Sequence, residues 1–369
     1  MKIAYLLGAL RRGGTETLLL DVFKNAKLAD YQFVGIHRKD GECKSEFYST
    51  GQRLYKLSPR FPFDFVYLYR MRKLLRMEQI DIVHAQQALD ALYAWIATCG
   101  LKIKIIQTFH GFDDFNKKSK LIAFIAKRTY KNFFVSHCLK DYYVEKYKLN
   151  SQKQAVVYNG ISFDKLDALK ETTPLFSDNY KGLLLGSVGN FVYVRSQIVI
   201  CRALKLLNDK GIDFRFVFAG LRLDNQAHLY DECVDFCKKN NLLNTKVFFL
   251  GGRDDVPNIL KQLDGFVYSS AHDTFGIAVV EAMATAVPVF VNDWKVMTEI
   301  TNEGKLATIF ETNNKNDLCE KIVLFLQDKK AYAEKSRNAA ETVREVYSIK
   351  NHIAKLAIEY TEILTNNSI

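Results

Sequence analysis

The sequence predicts an α/β fold: two doubly wound parallel-sheet domains in tandem. Three observations predict it. Short apolar runs of strand length alternate with helical patterns, as in parallel sheets covered on both faces. The alternation breaks once near the middle and then restarts. The length, 369 residues, suits two domains that each bury a core.

In the first half, Ile3–Leu7 reads as a strand, and Thr15–Lys27 as a helix with Leu18, Leu19, Val22 and Phe23 on one side. Gln32–Ile36, Ile80–His84, Ile103–Phe109 and Asn132–Val135 read as strands, and Phe65–Arg76, Ala88–Thr98 and Leu121–Tyr130 as helices. Turn-forming residues cluster at Thr172-Thr173-Pro174 and Ser177-Asp178-Asn179, so the hinge is placed there, dividing residues 1–175 from 176–350. The second half has strands Leu183–Val188, Arg215–Ala219, Val247–Leu250, Gly265–Tyr268 and Val287–Val291. Its helices are Ser196–Asn208, Asn225–Asn240, Val256–Leu263 and Ile277–Thr285, and the tail Lys329–Leu364 reads as long and helical. Ligands of such sheets bind outside the carboxyl ends of strands, so the site is expected on loops after strands, in a cleft between the two domains.

Composition is that of an ordinary globular chain, 48% hydrophobic and 25% charged, which excludes disorder and collagen-like repeats. Seven cysteines, mostly in apolar runs, do not form a disulfide framework, and Cys233 and Cys237 lack the partners a metal site needs. The start, Met1–Leu7, reads as a strand rather than a signal peptide, and no apolar run reaches the ~18 residues of a membrane span. A reducing cytoplasm is the expected compartment.

The net charge of +11 is unevenly spread. Residues 1–170 hold 29 Lys+Arg against 16 Asp+Glu, so the whole basic excess lies in the first half. That suits a domain facing an anionic surface, membrane phospholipid or nucleic acid. Aromatic RNA-binding signatures, zinc spacing and a basic recognition helix are missing, so nucleic acid is not an expected partner.

Four segments could carry chemistry. Gly8–Thr15 follows the first strand and nearly matches a phosphate loop, but Gly14 stands where the lysine belongs. Gly13 and Gly14 remain as flexible positions at a helix start, where backbone N–H groups can meet an anion. His110 ends a strand and is suited to hydrogen bonding or proton handling near neutrality; His84 ends another and is the weaker candidate. Gly189–Gln197 repeats the strand, glycine turn and helix start, with Arg195 placed to bind phosphate. The strongest segment is Ser269–Ala284. Asp273 and Glu281 flank a Phe275-Gly276 turn, and the helix from Ile277 offers N–H groups to an anion. Glu281 interrupts an apolar stretch, where a carboxylate needs a partner; ribose hydroxyls are a natural one.

These residues resemble family 4 of the glycosyltransferases, retaining enzymes of the GT-B fold. Asp273-Thr274-Phe275-Gly276 with Glu281-Ala282-Met283-Ala284 is similar to the family's E-x7-E signature, with Asp in place of the first Glu. Gly13-Gly14-Thr15-Glu16 resembles its G-G-x-E loop, Thr108–Gly111 its H-G segment, and Val157–Ile161 its N-G-[IV] run. Val188–Arg195 resembles V-G-R-x-x-x-x-K, with Asn190 where Arg is usual and Arg195 where Lys is usual. The motifs keep the family's order over nearly the whole chain.

The resemblance implies two Rossmann-like domains, with the tail helix 351–369 crossing back to the first near Tyr347-Ser348-Ile349. The first domain would serve the acceptor and the second a nucleotide-sugar donor. Glu281 would hold the donor ribose, Asp273 the donor sugar, and Phe275, Gly276 and Ile277 would offer backbone contacts. Arg195 would neutralise the diphosphate, Asn190 would lie beside it without the usual charge, Gly13 and Gly14 would approach it, and His110 would contact the sugar. No metal or other cofactor is implied; the Asp-x-Asp pair of the other glycosyltransferase fold is missing. The acceptor would be a glycan or lipid-linked glycan of bacterial surface polysaccharide or lipopolysaccharide synthesis. Two alternatives stay open: a non-hydrolysing sugar-nucleotide epimerase, and a homologue weakened by Asp273 and Asn190. Basic, aromatic-rich stretches at Val66–Arg76 and Lys117–Lys131 suggest peripheral contact with the inner face of the cytoplasmic membrane.

Overall fold

The computed structural model describes residues 1–11, 13–113, 119–178 and 180–365. Arg12 of the first glycine loop, Lys117 and Lys118 of the second basic stretch, and residues 366–369 of the expected tail helix lie outside these.

The first sheet is built from β1 (Lys2–Ala9), β2 (Gln32–Lys39), β3 (Leu54–Lys56), β4 (Ile82–Ala85), β5 (Lys104–Phe109), β6 (Lys131–Phe134) and β7 (Gln154–Val156). Between them run α1 (Gly14–Lys24), α2 (Lys44–Ser49), α3 (Phe65–Met77), α4 (Ala88–Ala97), α5 (Ser119–Ala126) and α6 (His137–Tyr147). All pairings are parallel, in the order β3-β2-β1-β4-β5-β6-β7. Ile3–Leu7 is buried without alternation, because helices cover both faces. On one face Tyr5, Leu19, Phe23 and Phe133 share a core; on the other Ala4, Leu6, Tyr67, Met71 and Tyr93 do. Helix α3 starts where Asp64 accepts from the N–H groups of Val66 and Tyr67 at 2.9 and 3.1 Å.

The second unit opens with α7 (Asp164–Ala168) and contains β8 (Leu183–Val188), α8 (Gln197–Asp209), β9 (Phe214–Ala219), α9 (Ala227–Lys239), β10 (Val247–Gly251), α10 (Val256–Leu260), β11 (Gly265–Tyr268), α11 (Ile277–Ala284), β12 (Val289–Asn292), α12 (Lys295–Ile300), β13 (Thr308–Phe310), α13 (Lys315–Gln327) and α14 (Lys329–Val346). Its sheet is also all parallel, ordered β10-β9-β8-β11-β12-β13. Cys201, Cys233 and Cys237 lie in its apolar core with Phe216 and Phe218.

The last helix, α15 (Ile349–Thr365), belongs to the first unit, where Ile353, Leu356, Tyr360 and Ile363 complete the core beside α1. The tail is therefore two helices, interrupted at Tyr347 and Ser348. Ser348 forms a parallel bridge with Ile161, and Ile161 N–H donates to the Tyr347 carbonyl at 2.8 Å. The two compact units are residues 1–161 with 347–369, and residues 162–346. The boundary thus precedes the turn-rich segment around residue 175. That segment packs on the second unit: Asn258 accepts from Thr173 N–H at 2.7 Å, and Gln262 accepts from Leu175 N–H at 3.1 Å. The turn-rich residues thus form an irregular stretch held by side chains of the second unit.

Candidate active site

In the second sheet the strand order reverses between β8 and β11, the point at which doubly wound sheets bind ligands. The loops leaving these two strands are stitched together. Ser196 N–H donates to the Ser269 carbonyl at 3.1 Å, and Val194 O accepts from Ala271 N–H and Ser270 Oγ, both at 2.8 Å. Arg195 then reaches back over the strand ends. Its Nη1 donates to Val188 O at 3.2 Å, and its guanidinium carbon lies 4.8 Å from the centroid of the Tyr268 ring. Gly189, at φ +145°, makes room: a Cβ there would fall 1.2 Å from Arg195 Nη1. The Tyr268 hydroxyl donates to Asp273 Oδ2, so Arg195, Tyr268 and Asp273 form one connected set. Burial pushes the Tyr268 phenol well above its ordinary range; Arg195 opposes this and Asp273 adds to it, so the hydroxyl stays a donor.

Asp273 is held from both backbone sides. Its N–H donates to Ser270 Oγ at 3.1 Å, and its carbonyl accepts from Trp294 Nε1 at 2.9 Å. Gly276, at φ +89°, turns the chain into α11, and a Cβ there would meet Met297 Cε at 2.8 Å. Phe275 anchors the turn at 2% exposure. The first helical bonds run from Val279 and Val280 N–H to Gly276 O, so the N–H groups of Ile277 and Ala278 precede them, as an anion requires. Ile277 and Glu281 are four apart on the half-buried face of α11, while Val279, Val280, Ala282 and Met283 are buried. Glu281 is thus not a carboxylate embedded in apolar core, and the desolvation argument made for it from sequence does not apply. Asn190 holds the loop instead of facing outward with its carbonyl: Oδ1 accepts from Leu221 N–H at 2.9 Å.

In the first sheet the order reverses between β1 and β4. Gly13 precedes α1 in ordinary extended backbone, φ −159°, and its carbonyl accepts from Thr17 N–H at 2.8 Å. Gly14 is the first residue of that helix. Glu16 crowds this end, because a Cβ on Gly13 would lie 2.7 Å from its Oε2. Burial raises the Glu16 carboxyl above its ordinary range. His110 follows β5, half-buried, with Nε2 at 2.8 Å from Gln86 Oε1. Burial, with His352 adding to it, pulls its imidazole down to about 4, so it is neutral at pH 7. His84 is a structural residue: fully enclosed, it has Nδ1 2.6 Å from the Tyr360 hydroxyl and Nε2 2.6 Å from Thr108 Oγ1.

Two family descriptions match in tandem. "Glycosyltransferase Family 4" covers residues 12–165, and "Glycosyl transferases group 1" covers 176–343. The chain is a family 4 glycosyltransferase. Curated relatives of this transferase include the Bacillus anthracis N-acetyl-alpha-D-glucosaminyl L-malate synthase, 25% identical over 83% of this chain and 81% of its own length. Another is the Escherichia coli UDP-Gal:alpha-D-GlcNAc-diphosphoundecaprenol alpha-1,3-galactosyltransferase, 23% identical over 81% of this chain and 80% of its own. Among solved structures, a Rickettsia africae glycosyltransferase superposes with a TM-score of 0.86 at 21% identity, covering 99% of both chains. Anabaena HepE in complex with UDP gives a TM-score of 0.85 at 17% identity, over 98% of this chain and all 100% of that one. These superpositions carry the GT-B fold. The family placement supports sugar transfer and not the epimerase alternative. In the transferase, the second-unit residues singled out by sequence lie at the β8/β11 switch point and Gly13 and Gly14 at the β1/β4 one, while His110 follows β5 one strand further on and His84, on β4, is structural. Tyr268 was not singled out, because a tyrosine ending a strand reads as core.

Proposed function

We propose that this enzyme transfers a sugar, with retention, from a nucleoside-diphosphate sugar to a glycan or lipid-linked acceptor in bacterial surface-polysaccharide or lipopolysaccharide synthesis. The observation that carries the reading is the connected set of Arg195, Tyr268 and Asp273 beside the start of α11. Glycosyl transfer develops positive charge on the sugar ring and negative charge on the departing diphosphate. Arg195 and the N–H groups at the start of α11 meet the negative charge, and their fixed placement means little reorganisation is needed as it forms. Asp273, oriented by Tyr268, receives the hydroxyls of the donor sugar; Glu281 receives those of the ribose. His110, neutral, supplies a hydrogen bond rather than a charge. Cation and helix end together do the work that a divalent ion does elsewhere, and we assign no metal to the reaction. The E. coli relative's name specifies a UDP-sugar donor and a diphosphoundecaprenol-linked acceptor, which supports a lipid-linked acceptor here.

The test is a thermal-shift panel of UDP, GDP, ADP and their sugars on the wild type and Glu281→Ala. Ligand at ~100 times its Kd adds ~2.7 kcal/mol, enough to raise the midpoint by a few degrees. One nucleotide should stabilise the wild type and not the variant. No shift with any nucleotide, or an equal shift in the variant, would overturn this donor site.

A lipid-linked acceptor requires contact with a membrane surface. Phe65 and Tyr69 on the outer face of α3 are 80% and 67% exposed, and Phe61 and Phe63 just before it are 60% and 57% exposed. Arg60, Arg70, Lys73 and Arg76 surround them, exposed as well. Aromatics that sit at the lipid boundary, beside cations that meet its phosphates, are what an interfacial helix presents. The second stretch supports this less. Helix α5 ends at Ala126, and Lys131 begins β6, where it pairs with Glu359 and Glu362. Among the described residues no helix is long and apolar enough to cross a membrane.

A further inference from the structure

At the carboxyl ends of β4 and β5 a cavity of about 370 Å³ lies beside His110. Gln86 and Gln107 on its wall are only 7% and 2% exposed. They come from neighbouring strand ends, since Ala85 pairs with Gln107 in register. Each leaves one amide atom unmatched among the described residues: Nε2 of Gln86 and Oε1 of Gln107. Buried polar atoms are nearly always hydrogen-bonded, because burial without a partner forfeits hydration for nothing. His110 fixes the first of these. Its Nε2–H donates to Gln86 Oε1, which leaves the Gln86 amide nitrogen as the open donor.

The two glutamine amides therefore offer one unmatched donor and one unmatched acceptor. A phosphate or carboxylate could satisfy only the nitrogen, and an ammonium only the oxygen. Hydroxyl groups donate and accept, and so answer both. The charges around the cavity are already cancelled. Arg38 Nε lies 2.8 Å from Asp90 Oδ1, and Asp113 accepts from Lys146 Nζ and the Tyr142 hydroxyl, both at 2.6 Å. The volume is at the small end of ligand pockets, ~300–1,000 Å³, which suits one or two rings rather than a polymer or a lipid tail.

We infer that this cavity seats an uncharged sugar ring of the acceptor, with the Gln86 and Gln107 amides reading its hydroxyls. The inference rests on the glycosyltransferase reading above and names the chemistry of its acceptor. A site built to bond hydroxyls discriminates strongly against ligands that leave its own groups unpaired.

The experiment is saturation-transfer NMR on the full chain without nucleotide. The probes are methyl glycosides of glucose, galactose, mannose, N-acetylglucosamine and N-acetylgalactosamine, against methyl glucuronide and glucose 6-phosphate. At least one neutral glycoside should bind saturably, with the charged sugars at least tenfold weaker. Gln86→Leu and Gln107→Met should each weaken that binding at least tenfold, while nucleotide affinity stays at the wild-type value. Gln107→Met also removes an orphaned buried oxygen, so its melting midpoint should not fall, which separates lost recognition from lost folding. Equal binding of charged sugars, unchanged affinity in both variants, or no glycoside binding by a chain that binds nucleotide would overturn the inference. Glycoside binding that requires UDP would overturn the assignment to the acceptor. Glycoside binding by a chain that binds no nucleotide would sink the transferase reading and leave the sugar pocket standing.

Discussion

Arg195 makes two interactions at once, its guanidinium over the Tyr268 ring and its Nη1 donating to Val188 O. Arg195→Lys keeps the charge but has one compact ammonium in place of the fork that combines them. Steady-state kinetics should give a kcat lowered ~100-fold, the lower end of what losing one preorganised donor costs, since the charge is retained. Tyr268→Phe removes only the bond that orients Asp273, and its loss should be smaller, on the order of tenfold. A Tyr268→Phe enzyme slower than Arg195→Lys would show the order of importance to be wrong. Arg195, Asp273 and Glu281 were legible in sequence because spacing relative to a glycine turn and a helix start is itself geometry. Gln86 and Gln107 were not. A glutamine near a strand end carries no pattern, and its meaning arises only when two neighbouring strands place two amides around one space. Asn190 was legible as a departure, but its bond to Leu221 N–H depends on a loop that no local pattern predicts.

Helix α15 is the element on which the first unit's core closes. The Tyr360 hydroxyl lies 2.9 Å from that of Tyr5 and 2.6 Å from His84 Nδ1. Tyr360→Phe leaves buried partners unmatched, and denaturant unfolding should show a loss of ~1–3 kcal/mol. Three histidines around this helix end make the unit acid-sensitive. Burial holds His110 and His352 down to about 4 and His84 well below the ordinary range. The unfolded chain takes up these protons near pH 6.5 and the folded one does not. Stability is therefore full above ~6.5 and falls as pH drops toward 4. The melting midpoint should decline steeply over that window; a flat profile would contradict the burial of these rings. Most of the long strands and helices were legible one by one, but the helices His137–Tyr147 and Lys315–Gln327 were not read, although the second buries Leu318, Ile322 and Phe325 at helical spacing. The three-residue strands Leu54–Lys56, Gln154–Val156 and Thr308–Phe310 were not, because three residues are too few to display a period. The tail reads as helical throughout because Tyr347 and Ser348 carry no strong breaker, and the crossing there is implied by the family resemblance rather than by local pattern. The interruption is imposed by the bridge to Ile161.

For the molecule as a whole, the proposed membrane contact joins the excess of positive charge in residues 1–170 to the exposed aromatics on α3. Binding to phosphatidylglycerol vesicles in a flotation assay should be strong at low salt and fall as salt rises. Replacing Phe61, Phe63, Phe65 and Tyr69 with Ser should weaken it further at every salt concentration. Binding that is indifferent to both changes would remove the membrane assignment. The two-sheet architecture was legible because alternation of strand and helix repeats over the entire chain. Pro and Asn mark irregular backbone, and irregular backbone can be pinned by side chains such as Asn258 and Gln262, so the compact units divide at residues 161 and 162, ahead of the turn-rich segment.

The first unit is assembled from both ends of the chain, and this has a consequence for its birth on the ribosome. Tyr5, Leu19 and Phe133 emerge early, but the helix that covers them is made only after Ser162–Val346. At about 5–20 residues per second that delay is roughly 10–40 s. Throughout it, a nascent sheet waits with the part of its face beside α1 uncovered, far longer than the microseconds in which apolar chains collapse. A circular permutant beginning at Tyr347 would carry its own cover from the start, and should need less help from chaperones to reach the native state.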